Sequence, residues 1–227
     1  IQKDTILLKK IVSKNYALEQ ANKIKKGIIQ TKQNSNEPKE WNAPLGHTTH
    51  LTTADKSGLV ISLTQTIGPL MGSKVAAKDL GFLYAVTMGG YLGDYKPGDR
   101  ANSHISPTML LNQNGELILA LGAAGGSRIV TAVVQATNRY IDQGKSLTEA
   151  ISQGRVYNQN DTILIENHKG IKWTKETFQE LERNNIPYKL QMEMGYHGRI
   201  NAIALDTINN RWISVTDPDW EGKAIDN

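Results

Sequence analysis

The chain has 227 residues, 39% hydrophobic and 21% charged, with a formal net charge of +4 and no cysteine. That length can bury a sizeable core in one domain, and the proportions are ordinary for a soluble globular protein. The missing cysteines exclude disulfides, thiol catalysis and Cys-zinc sites within the chain, and no apolar run reaches the roughly 18 residues of a membrane-spanning helix. The chain starts at Ile1 without Met and without a charged-then-apolar leader, which leads us to expect a mature or excised piece of something longer.

From Thr5 to about Ile29, apolar residues recur at helical spacing (Leu7, Leu8, Ile11, Val12, Ala21, Ile24, Ile28), predicting one amphipathic helix or two. Lys3, Lys9, Lys10, Lys14, Lys23, Lys25, Lys26, Lys32 and Lys39 crowd this region. They lack interleaved aromatics or a recognition motif, so a solvated helix face is expected and nucleic acid is not expected as a partner. Residues 30–47 carry Asn, Gln, Ser, Pro and Gly without periodicity and read as an exposed linker, where a chain can be cut without unfolding a core.

After Thr48 the pattern turns β-like. Residues 49–54 and 59–65 are joined by Asp55-Lys56-Ser57-Gly58, and residues 108–111 and 116–121 by Asn112-Gln113-Asn114-Gly115, predicting two hairpins. Gly122-Ala123-Ala124-Gly125-Gly126 then turns into a helix from about Ser127 to Asp142. Shorter helices are predicted over 147–153 and 175–183. Strands are predicted over 162–165, 200–205 and 212–215, the last two joined by Asn209-Asn210. This order implies antiparallel sheet covered by helices, an α+β fold.

Three places carry candidate chemistry. Thr48 follows the linker; if the His47–Thr48 bond is cut, its freed α-amine, with pKa near 8, lies within reach of its own hydroxyl and can act as base. Uncut, Thr48 is a strand-starting threonine. The Gly125-Gly126 turn between strand and helix presents backbone N–H groups suited to a developing oxyanion; the plainer reading is a tight turn with Ser127 as N-cap. In Asn102-Ser103-His104-Ile105-Ser106-Pro107-Thr108, short hydroxyl side chains can bind a carboxylate or satisfy local backbone groups. His47-x-x-His50 has metal-like spacing without a third ligand, so no metal is expected. Trp41, Trp173, Trp212 and Trp220 are scattered as packing residues are, and Asn160-Asp161-Thr162 is a sequon too common to use.

Taken together, Thr48-Thr49-His50, Asp55-Lys56-Ser57-Gly58, Ser103 with Ser106-Pro107-Thr108, and Gly125-Gly126-Ser127-Arg128, in that order and spacing, resemble the γ-glutamyltransferase family. Ser13-Lys14-Asn15-Tyr16-Ala17, Gly198-Arg199-Ile200-Asn201-Ala202-Ile203 and Asp217-Pro218 extend the resemblance over essentially the whole chain. The resemblance implies a self-processing N-terminal-nucleophile amidohydrolase or acyltransferase with the four-layer αββα sandwich. Residues 1–47 would be the tail of its large subunit and 48–227 the whole small subunit, both within one structural domain.

By position, the resemblance implies Thr48 as nucleophile, His47–Thr48 as the autocleavage bond, Thr66 as the supporting hydroxyl and Gly125 and Gly126 as the oxyanion pair. Ser103 and His104 would stand where two serines hold the substrate carboxylate. It further implies no cofactor, a small-molecule or peptide amide substrate, the rest of the large subunit as partner, and a periplasmic or extracellular location.

The departures lie in the grip. The family's substrate-binding Asn falls on Gly68, and its Asn-Gln-x-Asp-Asp segment on Val86-Thr87-Met88-Gly89-Gly90. Loss of the Asp that pairs with the substrate ammonium removes a charge-assisted bond worth roughly 1.5–3 kcal/mol. The stretch between Gly90 and Ser103 is also shorter than in members with a lid. An acyl specificity different from γ-glutamyl is therefore expected. The alternatives are a glutaryl- or cephalosporin-type acylase of the same fold, and an uncleaved, non-enzymatic relative.

Overall fold

The computed structural model describes residues 5–27, 48–87, 96–98, 103–159, 161–168 and 170–225. The chain falls into two compact units, Ile1–Asn36 and Glu37–Asn227. In the first, the amphipathic stretch is two helices, α1 (Thr5–Ile11) and α2 (Lys14–Lys25). Ser13 separates them: its backbone is extended and its hydroxyl accepts the Tyr16 N–H at 3.2 Å, an N-cap that starts α2 afresh. Ile6, Leu7, Leu8, Ile11, Val12, Leu18 and Ile24 are all exposed, so this unit has no core of its own among the described residues.

The second unit is α+β. A hairpin of β1 (Thr48–Ala54) and β2 (Val60–Thr66) lies beside a four-stranded antiparallel sheet. That sheet contains β3 (Thr108–Leu111), β4 (Leu117–Ala124), β8 (Arg199–Asp206) and β9 (Arg211–Thr216) in the order β3-β4-β8-β9. Helices α3 (Arg128–Ile141) and α4 (Leu147–Ser152) pack on it. A third sheet holds β5 (Val156–Gln159), β6 (Thr162–Glu166) and β7 (Tyr188–Gln191), with α5 (Lys175–Arg183) connecting the parallel pair β6 and β7.

Alternation along β4 organises the layers. Leu119, Leu121 and Ala123 point into the core with Ile129, Ala132, Val133 and Ala136 of α3, alongside Ile200, Ala202 and Ala204 of β8. Ala120, Gly122 and Ala124 face the other way, toward the hairpin, and their small size lets it approach closely. Helix, sheet and sheet are thus three successive layers. The outer face of the hairpin carries Leu51, Ile61 and Leu63, exposed among the described residues.

Most predicted elements stand where the sequence put them. Three points differ. β4 runs on to Ala124 instead of ending at 121, because Gly122, Ala123 and Ala124 pair with Asn201, Ile200 and Arg199 of β8. The four-residue strands β5 and β7 were not expected, nor was the parallel pairing of β6 with β7. Ser127 stands at the N-cap position of α3 but makes no side-chain capping bond: its backbone is helical and its hydroxyl accepts from Tyr157 Oη at 3.0 Å instead.

Candidate active site

Thr48 opens β1 and Thr66 closes β2, and the antiparallel register pairs them directly. The turn that sets this register is held by Asp55, whose Oδ1 accepts from Ser57 N–H, Ser57 Oγ and Leu59 N–H. Cross-strand partners keep their side chains on one face, so the two hydroxyls meet: Thr48 Oγ1 donates to Thr66 Oγ1 at 3.1 Å. Thr66 Oγ1 also accepts the Gly68 N–H at 3.1 Å. Gly68, with φ of 84°, turns the chain immediately after β2. Hydroxyl protons rotate, so a Thr66 oxygen that already accepts one N–H can offer its own proton to Thr48.

The hairpin's inner face is polar: Thr48, His50, Thr52, Ser62, Thr64 and Thr66 all point toward the central sheet. His50 anchors it. Its Nδ1 lies 2.7 Å from Thr64 Oγ1, and its carbonyl accepts from Asn201 Nδ2 of β8 at 2.7 Å. The ring rests on Gly122, where an added Cβ would come within 2.3 Å of Cε1. Burial pushes the His50 pKa down to about 4, so the imidazole is neutral at ordinary pH.

His50 lies over Gly122, while Ala54 lines a cleft with Ile203 and Leu205 further along the sheet. Hence β1 runs antiparallel to β4. Thr48, two residues before His50, is directed to the end of β4 where Gly125 follows Ala124.

There the backbone is unusual. Gly125 has φ of 145° and Gly126 φ of 62°, and a Cβ on Gly125 would lie 2.8 Å from the Gly198 Cα. A side chain is excluded at Gly125 by both conformation and space. Neither N–H donates to a partner among the described residues, and α3 begins two residues later, so its N-terminal dipole adds to an anion-attracting nook.

The loop before β3 enters at the same end, because Thr108 pairs with Leu121 of β4. Ser103 is exposed, and its Oγ accepts the Ile105 N–H at 3.2 Å in a local turn. His104 is half-buried, and its carbonyl accepts from Ser106 Oγ at 2.9 Å. Val86 N–H donates to the Ile67 carbonyl at 2.9 Å, which puts Val86-Thr87 alongside Ile67-Gly68. Two of the positions where the sequence departs from the family pattern, Gly68 and Thr87, are therefore neighbours next to Thr66. His47, Met88, Gly89, Gly90, Asn102 and Asn160 lie outside the described residues.

Sequence reasoning singled out Thr48, Thr66, Gly125 and Gly126. It missed His50 as an anchor, although the i, i+2 spacing to Thr48 on a strand puts both on one face. It also missed a buried ionic cluster. Arg155 gives Nη1 to Asp217 Oδ2 at 2.6 Å and Nε to Glu166 Oε2 at 3.3 Å, with His168 and Asp219 beside it. Burial works against the charge on Arg155, but the Asp217 and Glu166 carboxylates more than offset it. The signals for this cluster were slight: Glu166 closes the apolar run Ile163-Leu164-Ile165, and Asp217-Pro218 is part of the motif resemblance.

Comparison with known proteins agrees with this architecture. The glutathione hydrolase proenzyme of Bacillus subtilis (strain 168) is 28% identical over 190 residues, covering 79% of this chain and 31% of the relative. The acylase ACY 1 proenzyme of Pseudomonas sp. (strain SE83) is 32% identical over 168 residues, covering 69% of this chain and 28% of the relative. The chain thus spans less than a third of the length of these curated relatives.

Among solved structures, the gamma-glutamyltranspeptidase from Pseudomonas nitroreducens complexed with L-DON superposes with a TM-score of 0.65 at 28% identity. That match covers 78% of this chain and 98% of that one. These likenesses give the chain the fold of the N-terminal-nucleophile hydrolases. The Gamma-glutamyltranspeptidase family description matches from residue 2 to residue 226, and the chain belongs to that family.

Proposed function

We propose that this chain forms the catalytic part of a self-processing amidohydrolase or acyltransferase whose nucleophile is Thr48. Residues 1–47 are the tail of the large subunit and 48–227 the small subunit, joined in one structural domain with the remainder of the large subunit. The match to the Pseudomonas nitroreducens chain supports that boundary, since nearly all of that chain is covered by a stretch about as long as 48–227. In the precursor, Thr48 Oγ1 attacks the His47 carbonyl. The C–N bond is exchanged for an ester, the proton passes to the departing nitrogen, and water hydrolyses the ester to leave Thr48 as a free N-terminus.

In turnover, the Thr48 hydroxyl attacks a substrate amide carbonyl while its own α-amine takes the proton and passes it to the leaving amine. Thr66 steadies the attacking oxygen. The N–H groups of Gly125 and Gly126 hold the oxyanion, a contribution typically worth about 10²–10³ in rate per donor. Water or an amine then resolves the acyl-enzyme. The observation that carries this reading is the Thr48–Thr66 hydroxyl pair at 3.1 Å, backed by the Gly68 N–H.

The acyl group is γ-glutamyl or a related one. Gly68, Thr87, Gly90 and His104 replace polar partners of a glutamyl group, and the likeness to an acylase proenzyme favours a second reading, an acylase for a different acyl chain. Full-length protein decides both. Thr48→Ala should remain one unsplit band on denaturing electrophoresis and lose all amidase activity, while Thr48→Ser should still split. Splitting in Thr48→Ala would refute the nucleophile. Efficient hydrolysis of a γ-glutamyl anilide would refute the altered specificity alone.

A further inference from the structure

We propose that Glu166, His168 and Asp219 form a binding site for one divalent transition-metal ion of the Zn²⁺ class, tying the segment after β9 to the end of β6. Glu166 is the last residue of β6 and His168 follows two positions on. Asp219 lies three residues beyond the end of β9. One donor atom from each falls within 4.8 Å of the others. His168 Nε2 lies 3.5 Å from Glu166 Oε1 and 2.6 Å from Asp219 Oδ2. Nitrogen and oxygen donors about 2.0–2.1 Å from a tetrahedral zinc stand roughly 3.3 Å from each other. The first separation already fits, and the second fits after a small rotation of two terminal groups.

The partners already in use show which atoms remain. Glu166 Oε2 accepts both the Arg155 N–H and its Nε, whereas Glu166 Oε1, in a side chain with 0% exposure, has no hydrogen-bond partner. Buried carboxylate oxygens are rarely left so, and this one is aimed at His168. The Arg155 fork is spent on Asp217, with Nη1 and Nη2 at 2.6 and 3.3 Å, and reaches Asp219 Oδ2 only at 3.8 Å. Arg199, which acts on Asp217 from further off, is stacked over the Trp220 ring. Asp219 Oδ2 is already hydrogen-bonded to His168 Nε2, so Glu166 Oε1 is the carboxylate oxygen of this cluster left without a hydrogen-bond partner.

A donor set of one imidazole and two carboxylates, without thiolate, suits zinc and its neighbours. Arg155, gripping the second oxygen of Glu166, is the outer partner such sites use to orient a ligand. His168 and Asp219 are buried, each keeping 8% exposure. The site is separate from Thr48 and stands or falls independently of the proposed function.

The test uses full-length protein stripped with EDTA and dialysed into metal-free buffer at about pH 7.5, above the roughly 6.5 at which a free imidazole titrates. After ZnCl₂ addition and desalting, elemental analysis should find one zinc per chain and the unfolding temperature should rise. CoCl₂ in place of zinc should give visible ligand-field absorption. Asp219→Asn preserves size and is expected to fold; it should weaken zinc binding by at least the roughly 10–100-fold that loss of even an outer partner costs. His168→Ala should abolish both binding and the cobalt spectrum. Background zinc in the wild type, or stoichiometric zinc undiminished in Asp219→Asn, would overturn the proposal and leave a proton shared between the carboxylates as the occupant.

Discussion

One missing methyl group decides how closely the hairpin that carries Thr48 rests on the central sheet. At Gly122 the His50 ring fills the space a side chain would take, and the His50 carbonyl is tied to Asn201 on the next strand. Gly122→Ala forces the ring out of a well-packed site, and overpacking of that kind costs about 1–3 kcal/mol. The expected outcome is a lower urea midpoint with an unchanged slope, measured on the full-length protein; an unaltered midpoint would mean the contact carries no weight. Residue-level chemistry was partly readable. Thr48, Thr66 and the Gly125-Gly126 pair were picked from motif order, and the register brings Thr48 and Thr66 into contact. His50 was read as part of the Thr48-Thr49-His50 motif and for its spacing from His47 but not as an anchor, because nothing in a sequence says which glycine a ring will lie against.

At the level of elements, local signals were sufficient wherever a segment carries its own start and stop. α4 is an example. Ser146 Oγ accepts the Glu149 N–H at 3.2 Å while Glu149 Oε2 accepts the Ser146 N–H at 3.0 Å, a complete capping box. Ser146→Ala should lower stability by about 1 kcal/mol, read as a shift in the denaturation midpoint. α5 matches its predicted span because Thr174 caps it and polar residues end it. Strands that depend on a distant partner were harder. β7, four residues with two exposed in the middle, has no alternation to detect. It exists because α5 returns the chain alongside β6 in parallel register. β4 outlasts its expected end for the same reason: Gly122-Ala123-Ala124 has little strand propensity, and β8 supplies the hydrogen bonds.

For the whole molecule, burial of neutral histidines sets the response to acid. His50 and His197 both have pKa values pushed down to about 4, by burial first in each case. The unfolded chain binds their protons near pH 6.5, so their contribution is complete above that value and is lost as pH falls from about 6.5 to about 4. A shift of this size corresponds to about 3 kcal/mol per group as an upper bound. Asp219 works the other way, its contribution present at low pH and lost as pH rises through about 6, but two groups outweigh one. The denaturation midpoint should therefore be lower at about pH 5 than at about pH 7.5, with a smaller difference in His197→Asn; an equal or higher midpoint at the acid value would refute this.

Sequence alone determined the order of hairpins and helices and the α+β class, since turn residues, caps and apolar period act within a few positions, while Thr48, Thr66 and Gly125-Gly126 were brought together as candidates by the family resemblance of the motifs. Tertiary structure decided what lies far apart along the chain. It set the three-layer stacking through small residues on one face of β4 and the parallel pair made by α5. It also gathered Arg155, Glu166, His168, Asp217 and Asp219 into one buried cluster. The reason is physical: burial and charge pairing depend on distances in space, and those arise only when the sheets come together.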